Sequence, residues 1–289
     1  MTSVNVVKHL LPRNFVFVRE IIKGTYGRVD LVKNKDIENH YVAKTIHHEK
    51  FYKMERILIE SPTFIHPNVV RGISHRKTSE FHQLIFEYCP VGDLFDFARR
   101  FDLTTERIIP IVGQLVKALM FFHSQGVVHG DVKAENILIC KISPIRVKLA
   151  DFGLSFYPPY SDYARRGTYE FMSPEMISYR KGKGQPVSFP TDMWSLGVFV
   201  YELVYNELPF GSRNDSKESL GSKICDAKFK FPSGCPDIKD FISRLLVREP
   251  RARMTAKQCL EHPLLKEWYR EDLVKDVIRR HSAPPGPLE

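Results

Sequence analysis

The hydrophobic pattern of this 289-residue chain changes period once, near residue 90, and that change limits the folds open to it. From Asn14 to about Tyr88 the runs "FVFVREIIKGTYGRVDLVKN", "HYVAKTI" and "FHQLIFEYC" are β-rich, and the first alternates around a glycine turn. Only "EKFYKMERILIE" breaks the extended pattern. There Phe51, Met54, Glu55 and Leu58 follow helical spacing, and Ser61-Pro62 stops the run. After Gly92 the period is helical: "TTERIIPIVGQLVKALMFFHSQG" predicts a long amphipathic helix closed by Gly126, and "DMWSLGVFVYELVYN" and "PDIKDFISRLLV" predict two more. A small sheet with one helix, followed by a larger mainly helical part, is an α+β arrangement. The 43% hydrophobic and 12% aromatic content is enough to bury its core.

Composition removes several functions. The cysteines Cys89, Cys140, Cys225, Cys235 and Cys259 are odd in number and lack C-x-x-C spacing, which argues against a disulfide framework or a zinc cluster and for thiols in a reducing compartment. The amino terminus has no signal-peptide pattern, and the apolar run "SLGVFVYELVY" is too short for a bilayer and carries Glu202, so an intracellular protein with no membrane partner is expected, cytoplasmic or nuclear. Net charge is +9, but the basic pairs Arg99-Arg100, Arg165-Arg166 and Arg279-Arg280 have no interleaved aromatics to stack bases, so no specific nucleic-acid partner is expected. A monomer is expected, with a proline-rich tail over residues 282–289.

Two constellations carry chemistry. In "KGTYGRV", Gly24 and Gly27 lie between strand-like runs, where residues without a β-carbon let backbone N–H groups approach phosphate oxygens. Glycine hairpins are common, so the loop alone decides nothing. Downstream, "YVAK" sets Lys44 on a β-rich run among apolar neighbours, where an ammonium needs an anionic partner, and Glu55 on the following helix can supply one. The second set is denser. "HGDVKAEN" places Asp131, Lys133 and Asn136 within one short loop, and "DFG" puts Asp151 just beyond the strand "RVKLA". Together they offer a proton acceptor, a cation for a transferring phosphoryl group and oxygen ligands of the kind that hold Mg2+ against phosphates.

With these motifs the sequence resembles the eukaryotic-type protein kinase catalytic domain over about residues 15–270, through "KGTYGRV", "YVAK", "HGDVKAENILI", "KLADFG", "GTYEFMSPE", "DMWSLGVFVYELVYNELPF" and "REPRARMT" in the family's order. The resemblance implies a two-lobed α+β fold. Residues 1–14 would be an N-terminal extension, 15–88 a small β-rich N-lobe with one main helix, 89–270 a larger mainly α C-lobe, and 271–289 a helix end and tail. ATP would lie in the cleft against Ile21, Ile22, Lys23, Gly24, Thr25, Tyr26, Gly27, Val29, Val42, Lys44, Glu87, Cys89 and Leu138, with Phe86 behind the adenine. Lys44 would hold the phosphates and pair with Glu55, Asp131 would be the catalytic base with Lys133 beside the phosphoryl group, and Asn136 and Asp151 would bind Mg2+. Glu175 would pair with Arg253, and Asp192 would brace the catalytic loop.

Lys133 and Thr168 are similar to the serine/threonine branch, which implies Ser or Thr acceptors in protein substrates. Asp93, Glu135 and Glu202 match positions that hold arginines upstream of the acceptor in basophilic kinases. The chain departs from the family at Ile22, where a loop glycine is usual, and at Val42, where alanine is usual; Ile22 should stiffen the loop and Val42 lower the roof of the pocket, so a modest ATP affinity is expected. Gly130 replaces an arginine that receives an activation-loop phosphate in many kinases, so activity independent of such a phosphate is expected. Two other readings share the fold: a catalytically weak pseudokinase scaffold, against which Lys44, Asp131, Asn136 and Asp151 are all present, and a small-molecule phosphotransferase, against which "SPE" and "DMWSLG" belong to a protein-substrate platform.

Overall fold

Strands come first because the alternation demands it. A computed structural model describes residues 11–24, 27–158, 167–179 and 186–282. Within them, β1 (Phe15–Gly24), β2 (Gly27–Asn34), β3 (His40–His47), β4 (Gly72–Lys77) and β5 (Phe81–Glu87) form an antiparallel sheet in the order β1-β2-β3-β5-β4. The period-two pattern of β3 sorts its residues by face. Ala43 packs with Leu11, Val32 and Ile85 on one side, and Val42 and Ile46 join the main core on the other. Lys44 shares the parity of Val42 and Ile46, so the alternation directs it toward the body of the molecule.

The helix α1 (Lys53–Glu60) lies against β4 and buries Met54, Glu55 and Leu58, an apolar stripe with one carboxylate in it. It starts later than the sequence pattern predicts. A 3₁₀ turn at His48–Lys50 precedes it, and Phe51 leaves the helical face to stack on His82 with ring centroids 3.6 Å apart. The strand β4 carries little apolar alternation in "GISHRK" and is defined by its ladder to β5.

The rest of the described chain is mainly helical. After β6 (Gly92–Asp93) come α2 (Leu94–Arg100) and α3 (Thr105–Ser124), then a three-stranded sheet completed by β7 (Ile137–Ile142) and β8 (Ile145–Leu149). Next are α4 (Pro174–Ser178), α5 (Pro190–Tyr205), α6 (Lys217–Asp226), α7 (Pro236–Leu245), α8 (Ala256–Glu261) and α9 (Pro263–Ser282). All residues of α5 from Thr191 to Tyr201 are buried, as expected of a helix apolar on every side, and it forms the centre of the larger part with α3 and α7. The architecture is the two-lobed α+β fold implied by the motifs, with residues 129–136 set between α3 and β7 in its helical part.

Candidate active site

One ammonium joins the two parts of the molecule. Lys44 Nζ on β3 lies 2.8 Å from Glu55 Oε1 on α1 and 2.8 Å from Asp151 Oδ1, which follows β8. Asp151 takes a left-handed backbone (φ 60°), a conformation aspartate tolerates better than most residues. Its neighbour Phe152 explains the turn: the ring is buried among Phe64, Phe86, Phe122 and His129, so the chain reverses and sends the carboxylate the other way, half exposed in the cleft. Burial works against the Lys44 ammonium, but the carboxylates of Glu55 and Asp151 outweigh it and raise its pKa. Burial likewise opposes the Asp151 carboxylate; Lys44 prevails and holds it down to about 2. Glu55 goes the other way, raised by burial with Asp151 adding to it, because two carboxylates share one cation.

The loop at 129–136 is pinned from below and from the side. Buried Asp192 on α5 accepts hydrogen bonds from the backbone N–H of His129 (2.8 Å) and Gly130 (2.9 Å) and contacts His123 Nε2 at 2.9 Å. Burial opposes its charge, yet the bond from His123 outweighs it and keeps the pKa low. Gly130 has φ 84°, and a Cβ there would stand 2.8 Å from the Leu154 carbonyl oxygen. Glycine at 130 is therefore favoured by backbone conformation and close approach, a physical reason that the sequence reading did not contain.

Asp131 is held by three side chains. Its Oδ2 lies 2.7 Å from Lys133 Nζ and accepts from Asn136 Nδ2 at 2.9 Å; its Oδ1 accepts from both the N–H and the hydroxyl of Thr168 at 3.1 Å. Lys133 Nζ also donates to Thr168 Oγ1 at 2.6 Å. The Asn136 amide nitrogen is spent on Asp131, on its carbonyl as well as its carboxylate, which leaves the Asn136 amide oxygen as the atom suited to a cation. Lys44, Glu55, Asp131, Lys133, Asp151 and Thr168 line one cavity of about 230 Å³.

Of the predicted nucleotide contacts, Lys44 lines this cavity, and the others among the described residues do not. Ile22 pairs with Val29 and Lys23 with Arg28 in the β1–β2 ladder, which closes at Gly24 and Gly27. Thr25 and Tyr26 lie outside the described residues. Gly27 (φ 148°) is required by contact, since a Cβ would meet the Thr45 carbonyl oxygen at 2.4 Å. Ile21 is half-buried and Ile22 is 58% exposed, while Val42 and Leu138 pack against the main core. The Glu87 side chain is engaged by Lys148 Nζ and by the Arg71 N–H, both at 2.6 Å. Cys89 is buried with its sulfur against Cys140, so only its backbone is available to a ligand.

The acids expected at the substrate side are not brought together as one cluster. Asp93 caps α2, accepting from the Asp96 N–H at 2.8 Å, and Glu202 is taken by Arg213 Nη2 at 2.7 Å, whose guanidinium also lies 5.4 Å from the Phe95 ring centre. Burial raises the Glu202 pKa against the pull of Arg213, and the charge of Glu135 adds to the rise, so these two acids sense each other. Tyr160, Ser161 and Tyr163, the activation-loop hydroxyls that a phosphate could occupy, and Arg165 and Arg166, the nearby cations, lie outside the described residues. Glu175 and Arg253 form a bidentate pair, 2.7 Å at each end, buried beside Trp194. Sequence reasoning missed the Thr168 bonds to Asp131, the role of His123 and the Arg213 contact; none of these has a signal in local spacing.

Known proteins resemble this chain in sequence. The profile of the protein kinase domain matches residues 15–265. Aurora kinase C of Mus musculus is 32% identical over 284 residues, covering 94% of this chain and 98% of its own length. An Aurora kinase of Schizosaccharomyces pombe is 32% identical, covering 90% of this chain and 72% of that one. Smooth-muscle myosin light chain kinase of Gallus gallus is 33% identical over 75% of this chain, which spans only 12% of that protein. With its motifs, its fold and its cleft in agreement, the chain belongs to the protein kinase domain family.

Proposed function

We propose that the chain is a serine/threonine protein kinase that transfers the γ-phosphoryl group of ATP to hydroxyl groups of protein substrates. The observation that carries this reading is the shared cavity, which joins the Lys44–Asp151 pair to the Asp131–Lys133–Thr168 group. Lys44 would hold the nucleotide phosphates, and the Asn136 amide oxygen and Asp151 carboxylate would hold Mg2+. The low pKa of Asp151 and its half-exposed position suit that role. Bound Mg2+ supplies charge neutralisation across the phosphates. Asp131 orients the acceptor hydroxyl and takes its proton, and Lys133 stabilises charge on the phosphoryl oxygens. Thr168, bonded to both, fixes the edge of the platform next to which the acceptor must lie.

Two finer properties belong to the same reading. A preference for arginine upstream of the acceptor rests on Glu135 and Glu202, with Arg213 as the cation a substrate must displace. Independence from activation-loop phosphorylation rests on Gly130, which offers no side chain, and on Thr168, whose hydroxyl is engaged by Asp131 and Lys133. Purified protein with labelled ATP, Mg2+ and a peptide library of Ser, Thr and Tyr acceptors tests the assignment. Label on Ser and Thr peptides, strongest with Arg two or three residues upstream and unchanged to within about tenfold after phosphatase treatment, is the expected result. Label on Tyr alone, or on no peptide, overturns it.

A further inference from the structure

Two of the five cysteines meet where the chain passes from the five-stranded sheet to the helices. Cys89 follows β5 and Cys140 lies on β7, yet their Sγ atoms are 2.9 Å apart and both are free thiols. The contact is built by the strand ladder. Gly92 and Asp93 of β6 pair with Ile139 and Leu138 of β7, and the Val91 N–H donates to the Ile139 carbonyl at 3.3 Å, which lays the linker across Cys140. Cys89 is buried and Cys140 is partly open. The shared hydrogen bond, with help from nearby Lys148, holds the Cys140 thiol below its ordinary range, while that bond and burial push Cys89 up. Cys225, Cys235 and Cys259 have no such neighbour: Cys225 contacts Ser178 and Pro174, Cys235 is exposed, and Cys259 is buried. A disulfide spans about 2.05 Å between sulfurs, so closure requires an approach of under ~1 Å.

We propose that Cys89 and Cys140 are a reversible oxidation site, at which a peroxide converts two thiols into a disulfide that ties the interlobe linker to the floor strand of the nucleotide cleft. The Cys140 thiolate attacks one oxygen of hydrogen peroxide; the O–O bond breaks, hydroxide leaves and takes up the thiol proton as water, and Cys140 becomes a sulfenic acid. The Cys89 sulfur then attacks the Cys140 sulfur, losing its proton. The S–O bond breaks and a second water leaves. Two electrons pass from the thiols to the peroxide, and an external dithiol reverses the change by exchange. Because Cys89 belongs to the segment on which the small lobe turns relative to the large one, the bond restricts that turning and alters nucleotide affinity. This consequence rests on the nucleotide reading of the cleft; the bond itself does not.

The test uses the full chain, reduced or treated with hydrogen peroxide, then alkylated, digested and mapped by mass spectrometry, with binding of the fluorescent analogue mant-ATP measured in parallel. A Cys89–Cys140 linked peptide that dithiothreitol removes, with a shift in mant-ATP Kd of about threefold or more, is expected. Cys140→Ser and Cys89→Ser should each abolish the link, Cys140→Ser should also abolish the shift, and Cys235→Ser should keep both. Oxidation confined to Cys235, or a Kd shift that survives in Cys140→Ser, overturns the proposal; a linked peptide with unchanged Kd, in protein that does transfer phosphate, overturns its coupling to the cleft. A link and a Kd shift in protein that transfers no phosphate would support the oxidation site and count against the kinase assignment instead.

Discussion

Glu55 and Glu175 are both buried glutamates paired with a cation, and they are pushed in opposite directions. Burial raises both, but at Glu175 the Arg253 guanidinium reverses the shift and holds the carboxyl low, whereas at Glu55 burial and the Asp151 carboxylate prevail over Lys44. The geometry explains it. Arg253 grips Glu175 through two nitrogens and spends its remaining donors on the carbonyls of Val247, Pro190 and Arg248, so the pair is closed and saturated. Lys44 offers a single ammonium to two carboxylates, one of them open to the cleft. The first arrangement is a clamp within the large lobe. The second is an unsaturated site, in which an arriving anion can share Lys44 and an arriving cation can share Asp151.

The comparison can be broken by removing each cation. Arg253→Met leaves the Glu175 carboxyl buried without its counter-charge and three backbone carbonyls without their donor, and should cost about 3–5 kcal/mol of stability in a urea titration. Lys44→Met should cost less stability, since Lys44 makes two bonds where Arg253 makes five and Asp151 is half open to solvent, while lowering kcat/KM by about 10²–10³-fold in a labelled-ATP assay. Equal loss of stability in the two variants would erase the distinction between clamp and open site.

A third buried group sharpens it with pH. His82, buried against Phe51 and His75, has its pKa lowered to about 4, by burial first and then by His75. The unfolded chain takes up a proton as pH falls below about 6.5, whereas the folded chain does not until about 4. Stability should therefore decline from pH 6.5 to 4, by up to about 3 kcal/mol for this group. Urea midpoints across that range check it, and His82→Phe should flatten the curve. Smaller still is Gly130→Ala, where the left-handed backbone and the Leu154 carbonyl should cost about 1–2 kcal/mol, visible as a lower melting temperature and reduced turnover. Least of all, Arg213→Ala should free Glu202 and increase the preference for upstream arginine by a few-fold, about 0.5–1 kcal/mol in peptide competition.

Much of the molecule was legible in the chain because its spacing is local. Period two placed Lys44 on the core-facing side of β3, helical spacing placed Glu55 beside Met54 and Leu58 on α1, and six residues of loop contain Asp131, Lys133 and Asn136. The places where sequence fell short share one cause. Phe51 left its helix to stack on His82, which belongs to β5, and Glu202 is taken up by Arg213 from beyond the end of α5. In both, a partner fixed by packing outweighed a local pattern.

The sequence by itself determined which chemical groups the site would have and the order in which they occur, because residue type and short-range spacing are written in the chain. Only the tertiary structure decided which of them touch. Lys44 meets Asp151 across 107 positions, Thr168 meets Asp131 across 37 and Cys89 meets Cys140 across 51. Each meeting depends on how the small sheet, α3 and the β6–β8 sheet pack into one core. Packing is a property of the whole set of buried side chains and of the conformational entropy their burial must overcome, so no window of sequence contains it.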